Sequence, residues 1–92
     1  AVRYWDFPSV DASMTRERAV EGVRAALDAS VRDHLVSDVP VGVFLSSGLD
    51  STIVAALAAR HTPRLRTFTV GFADQPDMSE SDLAAGTARA LG

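Results

Sequence analysis

The stretch Val39-Pro40-Val41-Gly42-Val43-Phe44-Leu45-Ser46-Ser47-Gly48-Leu49-Asp50-Ser51-Thr52-Ile53-Val54-Ala55-Ala56-Leu57 decides how this chain is read. Residues 39–46 form a continuous apolar run between turn formers. The run is too short for a buried helix and rich in Val. It predicts a strand buried on both faces, as in a parallel sheet. Pro40 falls at the strand entry, where no ladder donor is needed. Beyond residue 51 the pattern changes. Ile53, Val54, Leu57 and the alanines among them predict a helix over 51–61, which His61-Thr62-Pro63 ends because proline disfavours continuation. Between strand and helix lies the polar loop Ser46-Ser47-Gly48-Leu49-Asp50-Ser51.

On the C-terminal side, Arg66-Thr67-Phe68-Thr69-Val70-Gly71-Phe72 alternates and is β-rich, which predicts a second strand. Residues 73–78 are polar, with Pro76, and read as a loop. Ser79 then opens a helix with Asp82 three residues on, an approximate capping box. Leu83, Ala84, Thr87, Ala88 and Leu91 give that helix a narrow apolar face, and Gly92 stands where a C-terminal glycine belongs.

On the N-terminal side, Val20, Val23, Leu27, Val31 and Leu35 recur at spacings of three and four, predicting a helix over 14–36. Ser13 or Thr15 can cap it, and Glu17 suits the positive end of its dipole. His34, near its end, reads as a surface residue facing the negative end. Before it, Tyr4, Trp5, Phe7 and Pro8 form an aperiodic aromatic cluster. Two readings stay open: an arm docking on a neighbouring surface, or aromatics packed on this domain's own core.

The predicted order is α-β-α-β-α. A strand–helix–strand unit with a short crossover is parallel and right-handed. The fold class is therefore α/β, the start of a doubly wound parallel sheet. Two strands are few for such a sheet, so the chain is expected to be a piece of a longer one. Residues 1–13 would be the arm, and residues 14–92 the N-terminal part of a domain continuing beyond them.

Composition narrows the function. The chain has 92 residues, 47% hydrophobic and 23% charged, ordinary for a globular protein with one modest core. Its formal charge is −3 and all nine basic residues are Arg. A duplex-DNA binder would show a basic face, which this balance does not suggest. With no Lys there is neither a Walker lysine nor a Schiff base. With no Cys there is no disulfide, thiolate nucleophile or thiolate-bound metal. That absence fits the cytoplasm without requiring it. The longest apolar stretch is too short to span a bilayer, and the first residues lack the charged start and apolar run of a signal peptide.

The chemistry is expected in the loop. In a doubly wound sheet, ligands bind beyond the carboxyl ends of the strands. A loop between a buried strand and a helix start offers free backbone N–H groups, and the helix dipole favours an anion there. Ser46, Ser47 and Ser51 add hydroxyls, and Gly48 permits close backbone approach. Asp50 would repel phosphate unless it holds Mg²⁺, which bridges carboxylate and phosphate oxygens. The loop is neither a Walker loop, nor a dinucleotide fingerprint, nor a hydrolase nucleophile elbow. The plain alternative is a Ser/Asp-rich turn that only caps the following helix.

Ser46-Ser47-Gly48-Leu49-Asp50-Ser51 after an apolar strand resembles the Ser-Gly-Gly-x-Asp-Ser signature of ATP pyrophosphatases. The wider string from Val39 to Leu57 resembles the asparagine synthetase branch. Three more segments resemble it in order: Tyr4-Trp5-Asp6, Thr67 to Phe72, and Ser79 to Gly92. This resemblance implies an adenine nucleotide alpha hydrolase-like fold and a synthetase domain preceded by a glutaminase domain. It implies ATP and Mg²⁺, with Ser46, Gly48, Asp50 and Ser51 around the pyrophosphate and Asp50 on the metal. Leu45 and Val70 would contact the nucleotide, though for Val70 plain strand core is the alternative. Ser47 and Leu49 complete the nucleotide-binding set, and no residue is a nucleophile. Ser47 stands where the family more often has Gly. That substitution matters if positive φ is needed and little if only a small residue is.

The implied reaction activates the aspartate side-chain carboxylate with ATP and amidates it to asparagine, releasing AMP and pyrophosphate. Glutamine hydrolysis needs an N-terminal Cys, which this chain lacks, so the ammonia would come from the glutaminase domain. The resemblance also allows a homodimer of the parent and implies no nucleic acid or membrane partner. β-Lactam synthetases and other amide-forming relatives share the loop, and a non-catalytic nucleotide-binding module would too. Residues 1–92 alone are expected to be inactive as a synthetase.

Overall fold

The computed structural model describes residues 1–72, 74 and 80–92. Its elements run α1 (Arg16–His34), β1 (Gly42–Phe44), α2 (Leu49–His61), β2 (Arg66–Phe68) and α3 (Ser81–Leu91). This is the α-β-α-β-α order expected from the sequence. The expected start of the third helix at Ser79 lies outside the described residues. Within them α3 has Glu80 as its N-cap residue and Asp82 in its first turn.

α1 is capped by Thr15, whose hydroxyl accepts a hydrogen bond from the Arg18 amide. Thr15, rather than Ser13, is therefore the cap. Glu17 in the first turn and Arg32 and His34 in the last complement the helix dipole. His34 Nδ1 lies 2.7 Å from the Ser30 carbonyl, one turn back, which matches a residue serving its own helix end. The apolar stripe is only partly used. Leu27, Val31 and Leu35 are half-buried, whereas Val20 and Val23 stay exposed. They line an open groove with Ile53 and Leu57 of α2.

β1 and β2 pair in parallel, with Gly42 opposite Arg66, Val43 opposite Thr67 and Phe44 opposite Phe68. Both strands are shorter than their sequence patterns, because the ladder covers only these three residue pairs. One further bond, from the Leu45 amide to the Phe68 carbonyl at 2.8 Å, carries the contact to the start of the loop.

Alternation decides what each strand residue meets. Val43 and Leu45 point to one side, where Leu45, Ala55 of α2 and Ala84 of α3 form the buried cluster, flanked by Ala88 and Leu91. Alanines at these helix positions let backbones approach closely. Gly42 and Phe44 point to the other side, where Phe44 remains 77% exposed. Its ring lies 6.2 Å from that of Phe68. The expectation of a strand buried on both faces is thus not met, because the core helices cover one face only. Gly42 leaves room for the Phe68 ring on the open face. A Cβ there would collide with the Phe68 ring and lie 3.1 Å from the Arg66 carbonyl.

Residues 1–10 are exposed throughout, and Tyr4 is 98% exposed. Trp5 and Phe7 pack edge-on against each other, with centroids 4.7 Å apart. The radius of gyration is 17.0 Å, against about 12 Å for a compact domain of this length. The aromatic cluster is therefore not packed on the core.

Two local features carry measurable consequences. Arg64, in the turn between α2 and β2, has φ of 63°. A Cβ is strained in that left-handed region and glycine is not. Arg64→Gly is expected to raise stability by about 1 kcal/mol, read as a higher midpoint in urea unfolding.

The second feature ties α1 to α2. Asp28 Oδ1 lies 3.0 Å from His61 Nε2 and 3.7 Å from Arg60 Nη1. The hydrogen bond with His61 lowers the Asp28 carboxyl below its ordinary value, and the positive charges nearby act in the same direction. A carboxylate depressed in the folded state stabilises above its unfolded pKa and loses that contribution as pH falls through the folded one. Asp28→Asn should therefore melt below wild type near neutral pH. That difference should shrink as pH falls below the ordinary Asp value of 3.8.

Candidate functional site

The loop Ser46–Ser51 lies at the carboxyl end of β1, and β2 ends beside it. Thr69, one residue past β2, donates its hydroxyl to the Leu45 carbonyl at 2.7 Å. That bond ties the two strand ends together directly beneath the loop.

Inside the loop, the Ser51 hydroxyl is the hub. It accepts from the Ser46 amide at 3.2 Å, meets the Ser46 hydroxyl at 2.9 Å and reaches the Gly48 carbonyl at 3.0 Å. The Ser46 hydroxyl accepts from the Gly48 amide at 3.1 Å. Thr52 donates its amide and its hydroxyl to the same Gly48 carbonyl. These bonds fold Ser46, Ser47 and Gly48 tightly against the first turn of α2. The hydroxyls of Ser46 and Ser51 are thus engaged in shaping the loop.

Gly48 is the N-cap residue of α2, with φ −74° and ψ 153°, and no side chain caps the helix. Its backbone needs no left-handed conformation. Its lack of a Cβ matters for space, because a Cβ would sit 3.2 Å from the Ser46 hydroxyl. Ser47 does not have positive φ either, since Arg64 is the only non-glycine residue that does among those described. The backbone at this position therefore does not require glycine.

α2 starts at Leu49, two residues earlier than the sequence pattern suggests, so Leu49, Asp50 and Ser51 form its first turn. Their three amides have no acceptor among the described residues. Amides at a helix start, with the dipole behind them, favour an anion. The Ser47 amide is engaged, donating to Glu80 Oε2 at 3.1 Å. Glu80 comes from the start of α3, 33 residues away in sequence. Its carboxyl is lowered by hydrogen bonding to Ser47, the backbone amide foremost. Glu80 was not singled out by sequence reasoning. The available signal was its place before a helix that follows the second strand, on the same sheet edge as the loop.

The remaining expected site residues are placed as follows. Leu45 is 2% exposed and its side chain belongs to the core. Val70 lies just beyond β2 and is exposed. Asp50 is exposed on the first turn of α2, without a hydrogen-bond or ion-pair partner among the described residues. A single free carboxylate beside open amides suits a Mg²⁺ that takes its other oxygens from phosphate and water. No cluster of three or more metal-ligating side chains occurs among the described residues. The larger surface depressions follow α1 and α2 and include no loop residue. Their walls are open helix faces, one of them carrying the charged side chains of Arg16, Glu17, Glu21 and Arg24.

The asparagine synthase family matches residues 22–92. The chain belongs to this family. Among relatives of the asparagine synthase family, a putative glutamine-hydrolysing asparagine synthetase of Mycobacterium tuberculosis is 53% identical over 70 residues. That match takes in 76% of this chain and 11% of the relative. Glutamine-hydrolysing asparagine synthetase 1 of Bacillus subtilis is 49% identical over 76 residues, covering 83% of this chain and 12% of the relative. Asparagine synthetase B of Escherichia coli is 33% identical over 96 residues, covering 89% and 17%. The chain thus spans less than a fifth of the length of these asparagine synthases. No solved structure matches it. Among the described residues, no helix is long and apolar enough to cross a membrane.

Proposed function

We propose that this chain is the nucleotide-binding part of an enzyme that activates the aspartate side-chain carboxylate with ATP and then amidates it to asparagine. One observation carries the reading. Three open amides of Leu49, Asp50 and Ser51 stand at the carboxyl ends of two parallel strands, in a loop stiffened by its own serines. The family membership supports the same chemistry.

The steps follow from the donors. The aspartate carboxylate attacks the α-phosphorus of ATP, forming an aspartyl adenylate and expelling pyrophosphate. Ammonia then displaces AMP. The loop supplies no nucleophile. It binds the β- and γ-phosphates through backbone N–H groups, those of Leu49, Asp50 and Ser51 already open, which favours the charge developing on the leaving group. Asp50 is the residue that would hold Mg²⁺, whose charge neutralises the departing pyrophosphate when bound. Exposed Val70 stands at the second strand end, where a nucleotide would lie, while Leu45 supports the loop from below. The doubly wound sheet would then extend beyond the β1–β2 pair, with residues 1–13 leading in from a glutaminase domain. A homodimer of the parent and a cytoplasmic setting belong to the same proposal.

The test is aspartate-dependent exchange of radiolabelled pyrophosphate into ATP by the full-length protein. Exchange that requires both aspartate and Mg²⁺ supports the reading. Exchange driven by a different carboxylic acid would replace aspartate as the substrate, and no exchange with any carboxylate would reduce the site to a binding module. Residues 1–92 alone are expected to give no asparagine, because the loop walls only one side of a site.

A further inference from the structure

The loop amides fall into three groups. Those of Ser46 and Gly48 donate to hydroxyls within the loop. Those of Leu49, Asp50 and Ser51 are open among the described residues. The Ser47 amide alone among them donates to a charged acceptor, and that acceptor comes from another element.

We propose that Glu80 is a displaceable internal anion: its carboxylate holds the Ser47 amide while the loop is empty and yields it to a phosphate oxygen of the incoming nucleotide. The inference rests on the loop being a polyphosphate site.

One N–H in this geometry serves one strong acceptor at a time. A carboxylate oxygen and a phosphate oxygen make the same kind of charge-assisted bond, so they compete for it. The hydroxyl acceptors are different. They are neutral and lie within the loop, so they move with it. Glu80 belongs to α3, which is docked through Ala84, 1% exposed in the core. The Ala84 amide in turn donates to the Glu80 carbonyl at 2.9 Å. The carboxylate is exposed, but its backbone is anchored at the start of a packed helix, and its Oε2 is held by the Ser47 amide. The lowered carboxyl means it is charged at neutral pH and able to compete.

Binding then has two stages. A polyphosphate first meets the open amides at the start of α2 and next evicts Glu80 from Ser47. Glu80 is a positioning residue on this account, keeping the empty loop in its binding shape at some expense in affinity. A role limited to structure would predict the opposite sign, because removing a purely structural contact loosens the loop and weakens binding.

The experiment titrates inorganic pyrophosphate with Mg²⁺ into the full-length protein, as wild type, Glu80→Gln and Glu80→Ala. The ¹H–¹⁵N resonance of Ser47 is followed in the ligand-free state. Both variants are expected to bind pyrophosphate about three- to tenfold more tightly, because the competent loop no longer has to be freed. The free Ser47 amide proton should also move upfield as its charged acceptor is lost. Unchanged or weaker pyrophosphate binding in both variants, with wild type binding normally, overturns the proposal and leaves the nucleotide site intact. Failure of all three proteins to bind pyrophosphate removes the nucleotide site and this proposal with it.

Discussion

Asp50→Ala is expected to lower aspartate-dependent pyrophosphate exchange by about two to three orders of magnitude in the full-length enzyme, a loss typical of removing one electrostatic stabiliser of the reaction. Stability should hardly move. Asp50 is exposed and has no hydrogen-bond or ion-pair partner among the described residues. A surface substitution of that kind stays within about 0.5 kcal/mol. An acidic residue in the first turn also suits the helix dipole, so a small fall in melting temperature belongs to the expected result. The separation of the two readouts is what matters. A large loss of exchange with near-normal melting assigns Asp50 to the reaction. A loss of stability in proportion to the loss of activity would make Asp50 a helix-start residue only. Asp50→Asn keeps size and hydrogen bonding while removing the charge. It should lose nearly as much exchange as the alanine variant.

Leu45→Ala is expected to have the largest effect on stability, about 2–5 kcal/mol. Leu45 is 2% exposed and touches both core helices through Ala55 and Ala84. The buried neighbours are alanines, and Val43 and Leu91 at the margin are the larger side chains that could partly fill the space left behind. A loss of this size is a substantial share of the stability of a small domain. Denaturant unfolding of the variant measures it directly. Nucleotide affinity should fall only as far as the folded fraction falls. If affinity drops while the unfolding midpoint stays put, Leu45 acts as a nucleotide contact through its side chain, contrary to its place in the core.

Much of this architecture is visible in the residues themselves. The Val-rich run ending at Leu45, followed by the polar loop and then Ile53 and Leu57, announces a strand, a turn and a helix in that order. Hydrophobic patterning found all five elements, by periodicity in the helices and β2 and by an unbroken Val-rich run in β1. The misplacements have physical causes. α2 begins at Leu49 because Gly48 is its N-cap, and a glycine cap lacks the side-chain signature that marks a helix start. Strand ends depend on what pairs with them, and residues 39–41 and 69–72 lie outside the ladder. Val20 and Val23 carry the right spacing but stay exposed beside an open groove. Periodicity records a face suited to burial and cannot say whether a neighbour covers it.

The site was legible in the same uneven way. The loop was evident from six consecutive residues and their place after a strand. Glu80 was not, because its bond to Ser47 joins residues 33 apart and depends on how α3 docks. Nor could the sequence distinguish which serine hydroxyls point outward and which brace the turn. The hub role of Ser51 follows from its distances to Ser46 and Gly48.

The parallel pairing of β1 with β2 has a further consequence during synthesis. On the ribosome, the apolar run around Gly42–Phe44 emerges well before Arg66–Phe68, its strand partner among the described residues. For that interval the nascent chain carries a short, Val-rich and uncharged segment of the kind that self-associates. Asp38 and Pro40 flank and interrupt it, as gatekeeper residues do in aggregation-prone stretches. Replacing both with apolar residues would leave the finished ladder intact, since neither belongs to it, yet should divert newly made protein toward chaperones and inclusion bodies.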